Sequence, residues 1–339
     1  MTSHRFTHSG HLRRTLLALA AVVAGTALMA AAHAQQPAWP TKPVRIIVPA
    51  PAGSSLDIVA RLLSDKLKDT WAQPVLVENR PGAGGMIGVD IAAKAAPDGH
   101  TLALGFNGPL AFAPALYKKV PYDAFKDIVP VAMTTVQPNV LAVNAAVPAN
   151  SIKDLVAYAK ANPGKLNYGS IGAGSSSHLS MEFFKRSAGI DAVHVPYNGS
   201  PPAALSLANG DTQMLFAVAS GIMPQVKAGK IRLLAVTSAK RFDSLADLPT
   251  IAESGLPALR NFEALAWNGL VAAAATPADV VKKINADVNA VLNQTEIKAR
   301  LFAQGMQVAP TTPAGFKAVI DGDSKKWGSL IVLLGIRLD

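Results

Sequence analysis

Val44-Arg-Ile-Ile-Val48, then Pro49-Ala-Pro-Ala-Gly-Ser-Ser55, then a helical pattern opening at Asp57, is a β-branched run, a turn of small residues and a helix start in immediate succession. The order returns about 120 residues later as Leu166-Asn-Tyr-Gly-Ser170, Ile171-Gly-Ala-Gly-Ser-Ser-Ser177 and a helix from His178 through Met181 to Phe184. Turns this small let backbone N–H groups at a helix start approach a ligand closely, which is how a neutral surface holds an anion. Two such turns predict a two-lobed binder of small anions.

A leader precedes both. Arg5, Arg13 and Arg14, an apolar run over 16–29 and Ala32-His-Ala34 give the three regions of a secretory signal peptide, spanning 1–34 with cleavage after Ala34. The uncharged stretch 15–32 is barely long enough to span a membrane, and the cleavage site favours removal. Arg13-Arg14 leaves the twin-arginine route open beside the general one. The formal net charge is +10, but the cations are scattered without a basic run or basic–aromatic stripe, which excludes nucleic-acid binding. The chain has no cysteine. Disulfides, thiolate metal sites, a cysteine nucleophile and a lipid-bearing cysteine are excluded with it, so a soluble periplasmic protein is expected.

Beyond residue 40, strand-like runs alternate with helical patterns, predicting an α/β fold with largely parallel sheets. The strands expected are 44–48, 74–78, 101–105, 140–144, 166–170, 192–197, 213–217, 231–238 and 267–272. Ser151-Ile-Lys-Asp154, Thr276-Pro277 and Thr312-Pro313 signal helix starts. Val280, Ile284, Val288 and Val291 mark one apolar helix face, and the apolar run 330–336 reads as a terminal element packed on the first lobe. No linker divides the chain, and 136–148 and 256–267 look like extended crossings. The expected organisation is therefore lobe 1 from 40–136 plus 262–339, and lobe 2 from 137–261.

The first turn, 49–55, presents backbone donors and the Ser54 and Ser55 hydroxyls, with Asp57 a helix-start residue capping free N–H groups. The second is the stronger candidate, with Gly172, Gly174 and three consecutive serines just before a helix. His178 stands beside it, either donating to an anion or satisfied by its own neighbours. Tyr197-Asn198 either lines the cleft or forms a capped turn, and Trp267 reads as core. A third glycine-rich turn, Arg80-Pro-Gly-Ala-Gly-Gly85, lacks the dinucleotide-binding spacing, and Ser175 stands where a P-loop needs lysine; both read as local backbone geometry. No G-x-S-x-G, S-x-x-K or H-E-x-x-H occurs, so the reading is non-enzymatic, without cofactor or metal. A hydrolase would instead need a Ser or carboxylate within hydrogen-bonding reach of His178 or His194 in the cleft.

Ile47-Val-Pro-Ala-Pro-Ala-Gly-Ser-Ser-Leu-Asp57, Val77-Glu-Asn-Arg-Pro-Gly-Ala-Gly-Gly85, Pro97-Asp-Gly-His100, Tyr168-Gly-Ser-Ile-Gly-Ala-Gly-Ser175, His194-Val-Pro-Tyr-Asn-Gly199, Pro249-Thr-Ile-Ala-Glu-Ser-Gly255 and Ala275-Thr-Pro277 together resemble the Bug-type solute-binding proteins, the TctC-like periplasmic receptors of tripartite tricarboxylate transporters. The resemblance runs over 40–339. It implies a Venus-flytrap fold of the type II-like class with two crossing segments. It also implies a carboxylate held through backbone groups and ordered water by Ala52, Gly53, Ser54 and Ser55 on one lobe and Ser170, Gly172, Gly174, Ser175 and Ser176 on the other, with transporter membrane subunits as partners and a monomeric chain. Two positions depart from the family pattern: Ser54 stands where a second glycine is usual, and Ala217 where an aspartate often follows the phenylalanine. A sensor presenting the bound acid to a signalling protein is the alternative role.

Overall fold

The computed structural model describes residues 39–338; the leader expected at 1–34 lies outside them. The chain runs β1 (Val44–Val48), α1 (Ser55–Trp71), β2 (Val75–Asn79), α2 (Met86–Ala93), β3 (Thr101–Phe106), α3 (Ala113–Leu116), β4 (Ile128–Pro138) and β5 (Val140–Asn144). It continues with α4 (Ile152–Ala161), β6 (Asn167–Ser170), α5 (Ser176–Ala188), β7 (Val193–Pro196), α6 (Ser200–Asn209), β8 (Met214–Ala217), α7 (Met223–Lys227) and β9 (Ile231–Val236). The last elements are β10 (Leu265–Ala273), α8 (Ala278–Leu292), α9 (Thr295–Phe302), β11 (Gln307–Val308) and α10 (Pro313–Leu334).

Two sheets result: a six-stranded one ordered β11-β4-β10-β3-β1-β2 and a five-stranded one ordered β7-β6-β8-β5-β9. The chain passes from the first to the second at Asn139, between β4 and β5, and returns between β9 and β10. Within the two sheets, parallel pairing joins β1 with β2 and β3, and β6 with β7 and β8, and Val236 of β9 makes an isolated parallel bridge to Thr250. β10 pairs antiparallel with β3 and β4, and β5 with β8 and β9. The sheets are therefore mixed rather than largely parallel, because the strands that carry the crossings run against their neighbours.

β4 is the strand that the sequence hides. Its Ile-Val-Pro-Val-Ala-Met-Thr-Thr-Val-Gln-Pro run shows no alternation and contains two prolines, which argues against a strand flanked on both sides. It is nonetheless sandwiched between β10 and β11. Register shifts at Asn268/Gly269 and at Leu270/Val271, the latter beside Pro130, absorb the misfit.

The helices follow their signals more closely. Ser151 caps α4, its Oγ accepting from Asp154 N at 3.1 Å, and Thr312 caps α10, accepting from Gly315 N at 3.0 Å. Thr276 does not cap α8: Pro277 takes that place, and Thr276 Oγ donates to Ala273 O at 2.7 Å, closing the preceding turn. On α8 the buried face is Val281, Ile284, Val288 and Val291, with Val280 half-exposed. In α10, Phe316, Ile320, Trp327 and Ile331 face inward at helical spacing. Trp267 is buried edge-on to Phe316 and donates from Nε1 to Asp323 Oδ2 at 2.7 Å. One apolar cluster includes Ile47 and Phe316 beside the first sheet and Leu141 and Phe184 beside the second.

Candidate functional site

The parallel strands of both sheets end in small-residue turns that face one another, as open α/β sheets place their ligand crevices at the carboxyl ends of strands. After β1, Ser54 has extended φ/ψ and caps α1, its Oγ accepting from Asp57 N at 3.3 Å. Asp57 is 4% exposed and points back into the turn. Its Oδ2 accepts from Gly53 N at 2.9 Å and its Oδ1 from Asn79 Nδ2 at 3.0 Å, while Arg61 Nε lies 3.0 Å from both oxygens. Asn79 Nδ2 also donates to Ala50 O at 2.9 Å, tying the end of β2 to the same turn. Burial alone would raise the Asp57 pKa, but the donors from Arg61, Gly53 and Asn79 outweigh it and hold the carboxyl below its ordinary range. Asp57 is thus an ionised brace whose oxygens are engaged within the protein.

The second turn spends its donors internally. Gly172 N donates to Ser170 Oγ (3.2 Å), Gly174 N to His178 Nδ1 (3.2 Å) and Ser175 N to Gly172 O (3.1 Å). Ser175 caps α5 and its Oγ donates to Gly172 O at 2.6 Å. Ser177 Oγ donates to Phe216 O, fastening the helix start to β8. Behind the turn the rings of Tyr168, His194 and His178 stack, with centroids 4.8 and 4.0 Å apart. Because Nδ1 of His178 accepts a hydrogen bond, its proton sits on Nε2. Burial and the nearby Lys185 push His178 down to about 4. Burial, with His178 and Lys185 beside it, pushes His194 to about 3 against the opposing pull of Glu182. Both imidazoles are neutral near pH 7.

The cavity between the turns is about 40 Å³, room for roughly three waters at ~10–15 Å³ of probe-occupied volume each. Of the fourteen candidate residues, Ser54, Ser55, Gly172 and Asn198 line it. Ala52, Gly53, Asp57, Ser170, Gly174, Ser175, Ser176, His178, Tyr197 and Ala217 do not. Ser170, Gly174, Ser175 and His178 form the scaffold just described. Tyr197 shares a hydrogen bond with Ser206 Oγ at 2.5 Å, and Ala217 is buried in β8 opposite Val140. In their place the third glycine turn enters through Gly82, Gly84 and Gly85, with Pro49, Pro51, Phe106, Gly199 and Ser200. The turn taken as mere local geometry is therefore a wall of the cleft. The signal for Ser200 was present: a glycine, a serine and Pro201-Pro202 open α6, with prolines where a helix start tolerates them.

Every residue lining this cavity is uncharged. What reaches it are helix starts: Ser54, Ser55 and Leu56 at the head of α1, and Gly199 and Ser200 at the head of α6. The leading N–H groups of a helix have no intrahelical acceptor and carry partial positive charge. The chemistry on offer is dipolar stabilisation of an anion with its negative charge uncompensated by any lysine or arginine. Across the cleft the turns touch. Tyr117 Oη donates to Ala173 O at 3.1 Å. A Cβ on Gly84 would lie 2.6 Å from that same carbonyl oxygen, and one on Gly199 2.5 Å from the Pro51 ring. Glycine at both positions is what lets the two walls meet. Ser170 Oγ and His194 Nε2 stand 2.7 Å apart, as a nucleophile and base would, yet neither lines the cavity and Ser170 is fully buried. Among the described residues, no group of three or more His, Cys, Asp or Glu side chains could hold a metal.

The family model described as "Tripartite tricarboxylate transporter family receptor" matches residues 59–336. BugT of Bordetella pertussis is 33% identical over 324 residues, covering 95% of this chain and 98% of that protein. An adipate complex from R. palustris superposes with a TM-score of 0.85 at 34% identity, covering 88% of this chain and all of that one. MatC from Rhodopseudomonas palustris with bound malate gives 0.81 at 31%, covering 86% and 100%. At these coverages the likeness takes in both sheets, and the mixed α/β fold is the two-lobed fold of periplasmic binding proteins.

Proposed function

The chain belongs to the tripartite tricarboxylate transporter receptor family, and from that premise we propose that it captures a small carboxylate between its lobes in the periplasm and delivers it to membrane transporter subunits, without catalysing a reaction. The observation that carries the carboxylate reading is the uncharged cleft at which the starts of α1 and α6 converge. Each helix start supplies about 0.3–1 kcal/mol toward an anion, up to ~2 when partly buried. Charge-assisted hydrogen bonds at roughly 1.5–3 kcal/mol each bring micromolar affinity, about −8 kcal/mol, within reach after ordering costs. The adipate and malate held by the two similar structures support the same ligand class.

A cavity of about 40 Å³ is too small for such an acid, so the lobes part to admit it and close over it. In this reading the division between lobes follows the two crossings, and the closed surface, with the Tyr117–Ala173 bond across it, is what a membrane partner recognises. The test is thermal unfolding of the mature monomer against mono- and dicarboxylic acids of three to six carbons. A ligand at 100 times its Kd adds about 2.7 kcal/mol of stability. A clear rise in Tm with one acid supports the proposal. No rise across the panel, in protein first unfolded and refolded to strip any bound acid, refutes it.

A further inference from the structure

Where the chain crosses between the sheets, Gln137 Oε1 and Nε2, Asn107 Oδ1 and Asn139 Oδ1 are buried with no hydrogen-bond partner among the described residues. All three side chains belong to fully buried residues. They form one cluster. Asn107 Nδ2 donates to Leu265 O at 3.1 Å, Leu265 stands opposite Pro138, and Gln137 and Asn139 flank that proline. Asn139 is held in place by its N–H, which donates to Thr237 Oγ1 at 2.9 Å, and by Nδ2, which lies 3.4 Å from Ser180 Oγ on α5. Native interiors leave few such atoms unpaired, and a group of four in one place calls for an explanation.

The strand ladder directs the cluster toward the cleft. Phe106, which lines the cavity, stands opposite Asn268, and Asn268 stands opposite Thr135. Asn268 Nδ2 donates to Thr135 Oγ1 at 3.1 Å, so these side chains share a face. Gln137, two residues beyond Thr135, lies on that face; Asn107 follows Phe106 at the end of β3, and none of the three lines the closed cavity, so they would meet a ligand only with the lobes parted.

We propose that Asn107, Gln137 and Asn139 form the far end of the ligand site, a neutral carboxamide floor that binds the end of the acid opposite its carboxylate. The proposal rests on the carboxylate reading above and adds the ligand's second functional group. One N–H of the Asn107 amide is committed to Leu265 O, and its oxygen has no partner. Gln137 offers one carbonyl and one NH2, and Asn139 a carbonyl. Three oxygens without a partner against one such nitrogen, with one further N–H left on each of the Asn107 and Asn139 amides, favour a group that donates, a hydroxyl or ammonium, over a carboxylate. A second carboxylate brings acceptors only, into a place where segments 104–108, 134–140, 236–238 and 264–268 carry no lysine or arginine. The class of ligand selected is a hydroxy or amino acid bearing its donor at the far end.

Calorimetric titration of the mature protein with the plain, ω-hydroxy, ω-amino and dicarboxylic acids of three to six carbons tests this. At the best-fitting length the hydroxy or amino acid binds at least about tenfold tighter than the plain acid and the diacid, as expected when buried polar groups would otherwise stay unpaired. In Gln137→Met or Asn107→Leu that ratio falls below about threefold, the loss expected on removing one such contact. A diacid or plain acid binding as tightly as the others overturns the floor while leaving the carboxylate reading intact. A ratio unchanged in both variants overturns it equally and makes the cluster a lodging for structural water. Binding of no acid at all brings down both readings. The ranking in the unmodified protein decides the matter even if the variants fail to fold.

Discussion

Acidification is predicted to weaken the protein through the stacked imidazoles behind the second turn. His178 and His194 have folded pKa values of about 4 and about 3, against about 6.5 in an unfolded chain. Their neutral forms are favoured by folding, so the stability they contribute is complete above about pH 6.5. It is lost as the pH falls toward the folded values, because the unfolded chain then binds protons that the folded one refuses. Between pH 7.5 and 5.0 each unfolded imidazole gains nearly one proton and each folded one almost none. At ~1.36 kcal/mol per pH unit over about 1.5 units, that is about 2 kcal/mol per histidine and about 4 for the pair. Urea unfolding of the mature protein at the two pH values measures it. With a slope near ~3 kcal/mol/M the midpoint falls by about 1.3 M. The doubly substituted protein, His178→Gln with His194→Gln, should show less than ~1 kcal/mol of difference. A wild-type change below ~1 kcal/mol, or a full change retained in the double variant, refutes the reasoning. The same protonation removes the acceptor for Gly174 N–H, so acid loosens the turn as well as the fold.

Two further outcomes follow from the turn geometry. Gly199→Val places a β-branched side chain at φ +108° with its Cβ 2.5 Å from the Pro51 ring; affinity for the acid identified by the thermal panel should fall at least about tenfold by calorimetry, while the circular dichroism spectrum is kept. Asp57→Ala leaves Gly53 N without its acceptor, Arg61 without its ion-pair partner and Asn79 Nδ2 with Ala50 O alone and should cost about 2–3 kcal/mol in urea unfolding; a loss below ~0.5 kcal/mol, the level of an ordinary surface substitution, would show that the brace is not needed.

Most of the secondary structure was legible because it is written locally. The strand at 44–48, the turn after it and the caps at Ser151 and Thr312 depend on side chains within a few residues of each other, whereas Ser54 and Ser175, read as ligand contacts, cap α1 and α5. β4 was not legible as a strand, because its pairing is supplied by β10 and β11, more than a hundred residues away, and bulges accommodate its prolines. The mixed character of the sheets escaped for the same reason: strand direction is a property of neighbours, which a strand's own pattern does not encode.

The site divides along the same line. The sequence by itself determined that small-residue turns free of cations would stand at helix starts, and the residues at the head of α1 do line the cleft. Only the tertiary structure decided which backbone donors remain available. In the second turn Ser170, Ser175 and His178 consume the N–H groups of Gly172, Gly174 and their own helix start, whereas the third glycine turn and the start of α6 come forward to form the opposite walls. A hydrogen-bonding group's role is set by whether a partner is already within about 3 Å, and for residues joined through folding across two sheets that distance exists only in three dimensions.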